Sequence, residues 1–216
     1  MKLKKFVASS FIFILAAGSL FAQQKQKDQF STICKQLSKS KIIRGDFEQT
    51  QKNAKTGRSV NSFGKYTISA EDGMIWFTEV PVKSVMAVTK TYMIQEINGR
   101  QRKIDGSKNP TFTHMADVIS SLFTGKYEEI NNNFEVKCVA KEETNFGWEI
   151  TLTPKDKTIS SYIKEISVDC ILLPSGECQI TNMKMITFTD DSTTYRLNNQ
   201  VVTDNLNSDE AKYFEK

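Results

Sequence analysis

Catalysis needs a base, a nucleophile or a ligand set, so the first residues to weigh are the few that could supply one. His114 is the only histidine, and any Ser-His-Asp triad, Cys-His pair or histidine-rich metal site would have to be built around it. It stands at the start of an apolar helical stretch, where a helix-end role outweighs catalysis. Glu142-Glu143 and Asp190-Asp191 are adjacent carboxylates in polar turns, without the convergent placement of a glycosidase pair. There is no G-x-S-x-G, no phosphate-binding glycine loop and no dinucleotide fingerprint. These residues predict a protein that is not an enzyme, uses no metal and no cofactor, and acts by binding.

The thiols leave more open. Cys34, Cys138, Cys170 and Cys178 are an even set, and in an exported chain such a set permits disulfides. No C-x-x-C occurs, which argues against a redox or zinc role. Cys170 and Cys178 flank Leu173-Pro174-Ser175-Gly176-Glu177, a hairpin turn with Gly at the left-handed position. A three-residue loop sets Cys178 opposite Leu172 and leaves Cys170 diagonal to it, about 7–8 Å away and too far for easy bridging. A slip of one residue on each strand makes them direct partners. A Cys170–Cys178 disulfide therefore stays open at this stage, as does Cys34–Cys138.

Apolar side chains, not polar ones, are the residues arranged in a pattern. In Ile42 to Gln51, Ile43, Gly45, Phe47 and Gln49 fall on one face and Arg44, Asp46, Glu48 and Thr50 on the other, a period of two. Gly64 to Ile68, Met74 to Thr78 and Val82 to Thr89 continue the pattern after short turns, which predicts an antiparallel meander. Tyr92 to Ile97 and Gln101 to Ile104 flank Asn98-Gly99, the strongest hairpin signal in the chain. Later strands are expected over Asn133 to Lys141, Gly147 to Thr153, Tyr162 to Asp169, Cys178 to Thr189 and Thr193 to Val202. Two helices interrupt them. One runs from Lys27 to Ser40, with Phe30, Ile33, Cys34 and Leu37 on its apolar side. The other starts at Thr111, carries Phe112, Met115, Ala116, Ile119, Leu122 and Phe123 on one stripe, and stops at Gly125. A one-sided sheet must be covered. The Thr111 helix reads either as ordinary packing or as a movable lid over an apolar cavity. The polar tail from Thr203 carries Tyr213 and Phe214, which could dock it.

Lys2, Lys4 and Lys5 precede an apolar run from Phe6 to Phe21, and Ala22 stands before Gln23-Gln24-Lys25. Residues 1–22 read as a secretory signal, because the run is short for a bilayer span of about 20 residues. Residues 23–216 then form a single domain. The chain carries 29 basic and 25 acidic residues; without the three lysines of the signal, which has no acid, the remainder is close to neutral. No polyanion or nucleic-acid partner is called for.

Taken together, several features resemble the LolA-like family of periplasmic outer-membrane lipoprotein carriers. They are Gly45-Asp46-Phe47-Glu48-Gln49 after an amphipathic helix, a strand from Gly64, a strand ending at Trp76 with Pro81 beyond it, Leu152-Thr153-Pro154-Lys155, and Ser192-Thr193-Thr194-Tyr195-Arg196-Leu197. The resemblance implies a mainly β (α+β) fold, an incomplete and strongly curved antiparallel β-barrel covered by short helices acting as a lid. It implies a soluble, monomeric periplasmic carrier that shields the acyl chains of lipoproteins, or a related amphiphile, between inner and outer membranes. An inner-membrane lipoprotein-releasing ABC transporter would be the donor, with no acceptor specified. The cavity would be lined by Phe47, Tyr66, Ile68, Trp76 and Met86 of the meander, Phe112, Met115, Ile119 and Phe123 of the lid, and Trp148, Met183 and Met185 beyond it. Members of the best-studied branch of that family carry a lid-binding arginine ahead of the Trp-ending strand. Here that place is near Ala70, and no arginine lies between Arg58 and Arg100, so the arginine latch does not carry over. The alternative is a partner-binding or envelope-sensing domain of the same fold, docking a protein segment rather than lipid.

Overall fold

Segments alternating like Ile43, Gly45, Phe47 and Gln49 turn one face inward, and eleven of them join edge to edge in the computed structural model. It describes residues 26–106, 110–141 and 146–215, with 110–115 as backbone. The strands are β1 (Ile42–Lys52), β2 (Ser59–Ser69), β3 (Gly73–Val80), β4 (Ser84–Val88), β5 (Tyr92–Ile97), β6 (Arg100–Asp105), β7 (Phe134–Lys141), β8 (Gly147–Pro154), β9 (Ile163–Leu172), β10 (Cys178–Thr187) and β11 (Ser192–Thr203). The helices are α1 (26–37), α2 (Pro110–Phe123), α3 (Tyr127–Asn133), α4 (Lys157–Ser160) and α5 (Ser208–Ala211). The anticipated signal segment, residues 1–22, lies outside the described residues. Among those described, no helix is long and apolar enough to cross a membrane.

All the described strand pairs are antiparallel, in the order β6-β5-β4-β3-β2-β1-β11-β10-β9-β8-β7. The sheet is open: β6 and β7 are its edges, and the α2–α3 connection links one edge strand to the other. Its curvature is strong. Trp76 on β3 and Tyr195 on β11 are three strands apart, about 14 Å in a flat sheet, yet their ring centroids are 5.9 Å apart. The concave side therefore holds one continuous core. Phe30, Ile33, Cys34 and Leu37 of α1, Val118, Leu122 and Phe123 of α2, and residues from both wings of the sheet all join it.

A second, smaller core lies on the other face. Ile75, Ala87, Tyr92 and Ile94 are buried there beneath Tyr213 and Phe214, so the tail docks as its aromatic residues suggest. Arg44 and Thr67, direct partners across β1 and β2, both bond the buried Glu210 of α5. Arg44 Nε donates to Oε1 at 2.6 Å and Thr67 Oγ1 donates to the same oxygen at 2.7 Å. Glu210 also closes a capping box with Asn207.

The four cysteines are buried and unbridged. The β9–β10 hairpin takes the three-residue-loop register, with Cys178 opposite Leu172 and Cys170 opposite Ile180. That diagonal placement keeps Cys170–Cys178 from being direct cross-strand partners, and the disulfide left open above is not formed. Cys34–Cys138 is not formed either.

Candidate functional site

The concave face can be read across the strands. Pairings Gly45–Tyr66, Tyr66–Trp76, Trp76–Met86 and Met86–Gln95 make one row, and Ile43–Ile68, Ile68–Met74, Met74–Val88 and Val88–Met93 make the next. On the far wing, Tyr195, Met183, Val168, Ile150 and Cys138 continue it. The result is an apolar concave face, crossed by aromatic rings and packed into the core.

The G-x-F-x-Q signature at residues 45–49 has a distinct physical role at each place. Gly45 sits at a bulge in the pairing with β11, and a Cβ there would come within 2.8 Å of the Tyr66 ring and 2.7 Å of the Asn198 carbonyl. Phe47 is buried and faces Gly64 across the strands. A Cβ on Gly64 would strike the Phe77 carbonyl and touch the Phe47 ring at 3.0 Å. Gln49 Nε2 donates to the Tyr195 hydroxyl at 2.7 Å. Two glycines thus make room for two aromatic rings, and the glutamine fixes a third. Burial pushes the Tyr195 phenol up to about 12 despite that hydrogen bond.

Tyr66 and Trp76 stack, with centroids 6.2 Å apart, and Phe123 of α2 lies 6.3 Å from Tyr66. Both are almost fully enclosed, 1% and 5% exposed. Yet among the described residues the Tyr66 hydroxyl and the Trp76 indole nitrogen have no hydrogen-bond partner. Burial, and then the charge of Asp46, raise the Tyr66 phenol well above its ordinary value, so the hydroxyl stays protonated and able to donate. Unpaired buried groups of this kind cost about 1–3 kcal/mol each. An acceptor oxygen brought to either group would relieve it.

The helices complete the enclosure. α2 packs against α3, α4 and β3, and stops at Gly125, whose φ of +61° suits glycine. There the chain presses on the Cys34 carbonyl of α1, while Phe30 and Tyr127 tie α1 to α3 at 5.5 Å. Between α2, α3, α4 and the β7–β8 edge lies a cavity of about 330 Å³. Val118, Leu122, Ile130, Phe134, Leu152 and Ile159 give it an apolar floor; Lys90, Lys126 and Glu129 also line it. That is at the small end of ligand-pocket sizes.

The structure gathers the anticipated lining residues into a single core. Phe47, Tyr66, Ile68, Trp76, Phe123 and Met183 are buried in it, and Met86, Ile119, Trp148 and Met185 pack against it half-buried. The side chains of Phe112 and Met115 lie outside the described residues. Sequence reading missed the placement of Ile180: strict alternation puts it opposite Met183, but a register shift between Ile180 and Asn182 turns both inward. It also missed Tyr195 as the partner of Gln49. No single strand carries a signal for that pair, which only the β1–β11 contact creates.

No family model matches the sequence, and no curated protein matches it. Among solved structures, the chain is similar to a DUF1329 family protein from Desulfovibrio piger at 12% identity, over 88% of this chain and 96% of that one, with a TM-score of 0.49. A LolA superfamily protein from Nitrosomonas europaea is similar at 9% identity over 85% and 96%, with a TM-score of 0.43. Lipoprotein LppX from Mycobacterium tuberculosis is similar at 9% over 83% and 100%, with a TM-score of 0.42. Identities this low with TM-scores under 0.5 carry no argument about activity, and the architecture stands on its own strand pairings. The solved neighbours are thus LolA-superfamily, DUF1329 and lipoprotein structures, and the fold of this chain is an open, curved, eleven-stranded antiparallel sheet with a few short helices.

Proposed function

We propose that this chain is an exported, monomeric carrier that shelters the acyl chains of lipid-modified proteins, or of a related amphiphile, against its concave face while they cross an aqueous compartment between two membranes. The donor would be an inner-membrane lipoprotein-releasing transporter. The activity is binding, without covalent chemistry or cofactor. One observation carries the reading: two buried donors, Tyr66 and Trp76, stand without a partner among the described residues in an otherwise apolar core beneath α2. A core built only to pack itself gains nothing by enclosing them. An acyl ester offers apolar methylenes for the trough, at about 0.8 kcal/mol per CH₂ removed from water, and carbonyl oxygens for the two donors.

The test is native mass spectrometry of the protein with a diacylated peptide and with the same peptide lacking its chains. The expected result is a 1:1 complex with the acylated peptide alone, weakened about tenfold in a Tyr66→Phe/Trp76→Phe double variant through the lost hydrogen bonds. Failure to bind acylated peptide removes the proposal. Equal binding of both peptides favours a protein-docking domain instead.

A further inference from the structure

A separate feature lies at one end of the sheet. Antiparallel pairing sends the β1–β2, β3–β4 and β5–β6 turns out of the same end, since Lys52 faces Ser59, Thr78 faces Ser84, and Ser84 faces Ile97, which faces Arg100. Lys52 also faces Ser192, which brings the β10–β11 turn to the same rim. There Asn53 Nδ2 donates to Asp191 Oδ1 at 3.0 Å.

Two kinds of side chain project from this rim. Phe188 is 71% exposed, Val80 51%, Val82 50% and Ile97 42%. Val80 and Val82 share the β3–β4 segment, Phe63 at 43% lies directly across from Val80, and Val60 at 54% stands beside the β1–β2 turn, so exposed apolar side chains run along several of the turns at this end. Between them are Lys52, Lys55, Arg58, Lys83, Arg100 and Arg102, none of which forms an ion pair with a described residue. Of the acidic groups on or beside these turns, Asp190 holds Lys164 at 2.7 Å, while Asp191, Glu96 and Glu79 keep their charge, the first two accepting only from neutral donors (Asn53 and Ala54, and Tyr213). These turns thus carry six basic side chains against three carboxylates outside any ion pair among the described residues, with exposed apolar side chains among them. Loop tips of this composition fit an interface where basic groups meet anionic headgroups while apolar tips enter the acyl boundary.

We infer that the rim formed by the β1–β2, β3–β4, β5–β6 and β10–β11 turns docks this protein on an anionic lipid bilayer. The inference goes beyond cargo binding and is read on empty protein, so either can fail without the other. Flotation with vesicles of mixed phosphatidylglycerol and phosphatidylcholine, against phosphatidylcholine alone, tests it. Binding to the anionic vesicles is expected, falling with added salt. Removing rim charges with Lys83→Gln/Arg100→Gln/Arg102→Gln should weaken it about fivefold per charge, and Val82→Ser/Phe188→Ser should remove the salt-resistant part. A matched triple at the opposite end, Lys35→Gln/Lys39→Gln/Lys41→Gln, should change it little, with circular dichroism checking that each variant is folded. No flotation with anionic vesicles at low salt, equal flotation with neutral ones, or equal loss from the control triple overturns the inference.

Discussion

Two glycines and two aromatic side chains set much of the trough's shape, and their substitutions should show it. A methyl on Gly64 would meet the Phe77 carbonyl, which is backbone and cannot rotate away. Gly64→Ala should therefore cost about 2–3 kcal/mol, as overpacking does, measured by urea denaturation. At Gly45 the nearest atoms include the movable Tyr66 ring, so Gly45→Ala should cost less there and instead displace Tyr66. The thiols give a second expectation. Burial, then the neighbouring Cys138 and Cys178, push Cys34 up to about 12, and burial pushes Cys138 to about 11. Cys170 is raised by its hydrogen bond to Cys178 and by burial. In the reduced, folded protein Cys34, Cys138 and Cys170 therefore remain neutral thiols well above neutral pH, whereas Cys178 is lowered by its hydrogen bond with Cys170; maleimide labelling of Cys34 and Cys138 should be negligible until denaturant is added, and raising the pH to about 9 should not restore it. Rapid native labelling of Cys34 would contradict this.

Among elements, the tail shows how a short segment can be held by one polar cluster. Burial of Glu210 would raise its pKa, but the bonds from Arg44, the Asn207-linked backbone and Thr67 prevail, and the carboxyl is held below its ordinary value. A depressed acid stabilises the folded form above its ordinary pKa of about 4.3 and loses that contribution as pH falls through the lower folded value. Docking of α5 should thus be complete at neutral pH and weaken below about pH 4. Arg44→Met should mimic that release at neutral pH by leaving Glu210 buried without its cation. Because the Arg44 and Thr67 contacts join the terminal tail to β1 and β2, the loss should appear as faster hydrogen exchange and proteolysis over residues 204–215, not as global unfolding. The long elements were readable: α1, α2 and the strands occupy the stretches where the period of 3.6 or 2 is sustained. α3, α4 and α5 were not, since Tyr127–Asn133 is polar on most sides and α4 and α5 have four residues each, too few for a period to be measured. The β10 register shift defeats alternation for the same reason: one irregular residue reverses every later assignment.

For the whole molecule, the central question is how α2 relates to the trough it covers. It is tied at its end by Gly125 against α1, and its mid-length residue Ile119 is only half-buried against the core. Ile119→Asp should therefore leave the protein folded, with unchanged strand signals by circular dichroism, while cutting acylated-peptide binding at least tenfold. Global unfolding of that variant would mark α2 as ordinary core. The sequence by itself determined the alternating strands, the two long amphipathic helices, the absence of familiar catalytic motifs, and an incomplete barrel through family resemblance, because each rests on local periodicity or residue type. Only the tertiary structure decided that Gln49 serves Tyr195, that Tyr66 and Trp76 lack partners among the described residues, that four buried thiols stay unbridged, and that four turns bring basic and exposed apolar residues to one rim. Those facts depend on curvature bringing distant strands together, a property of the whole sheet that no window of neighbouring residues contains.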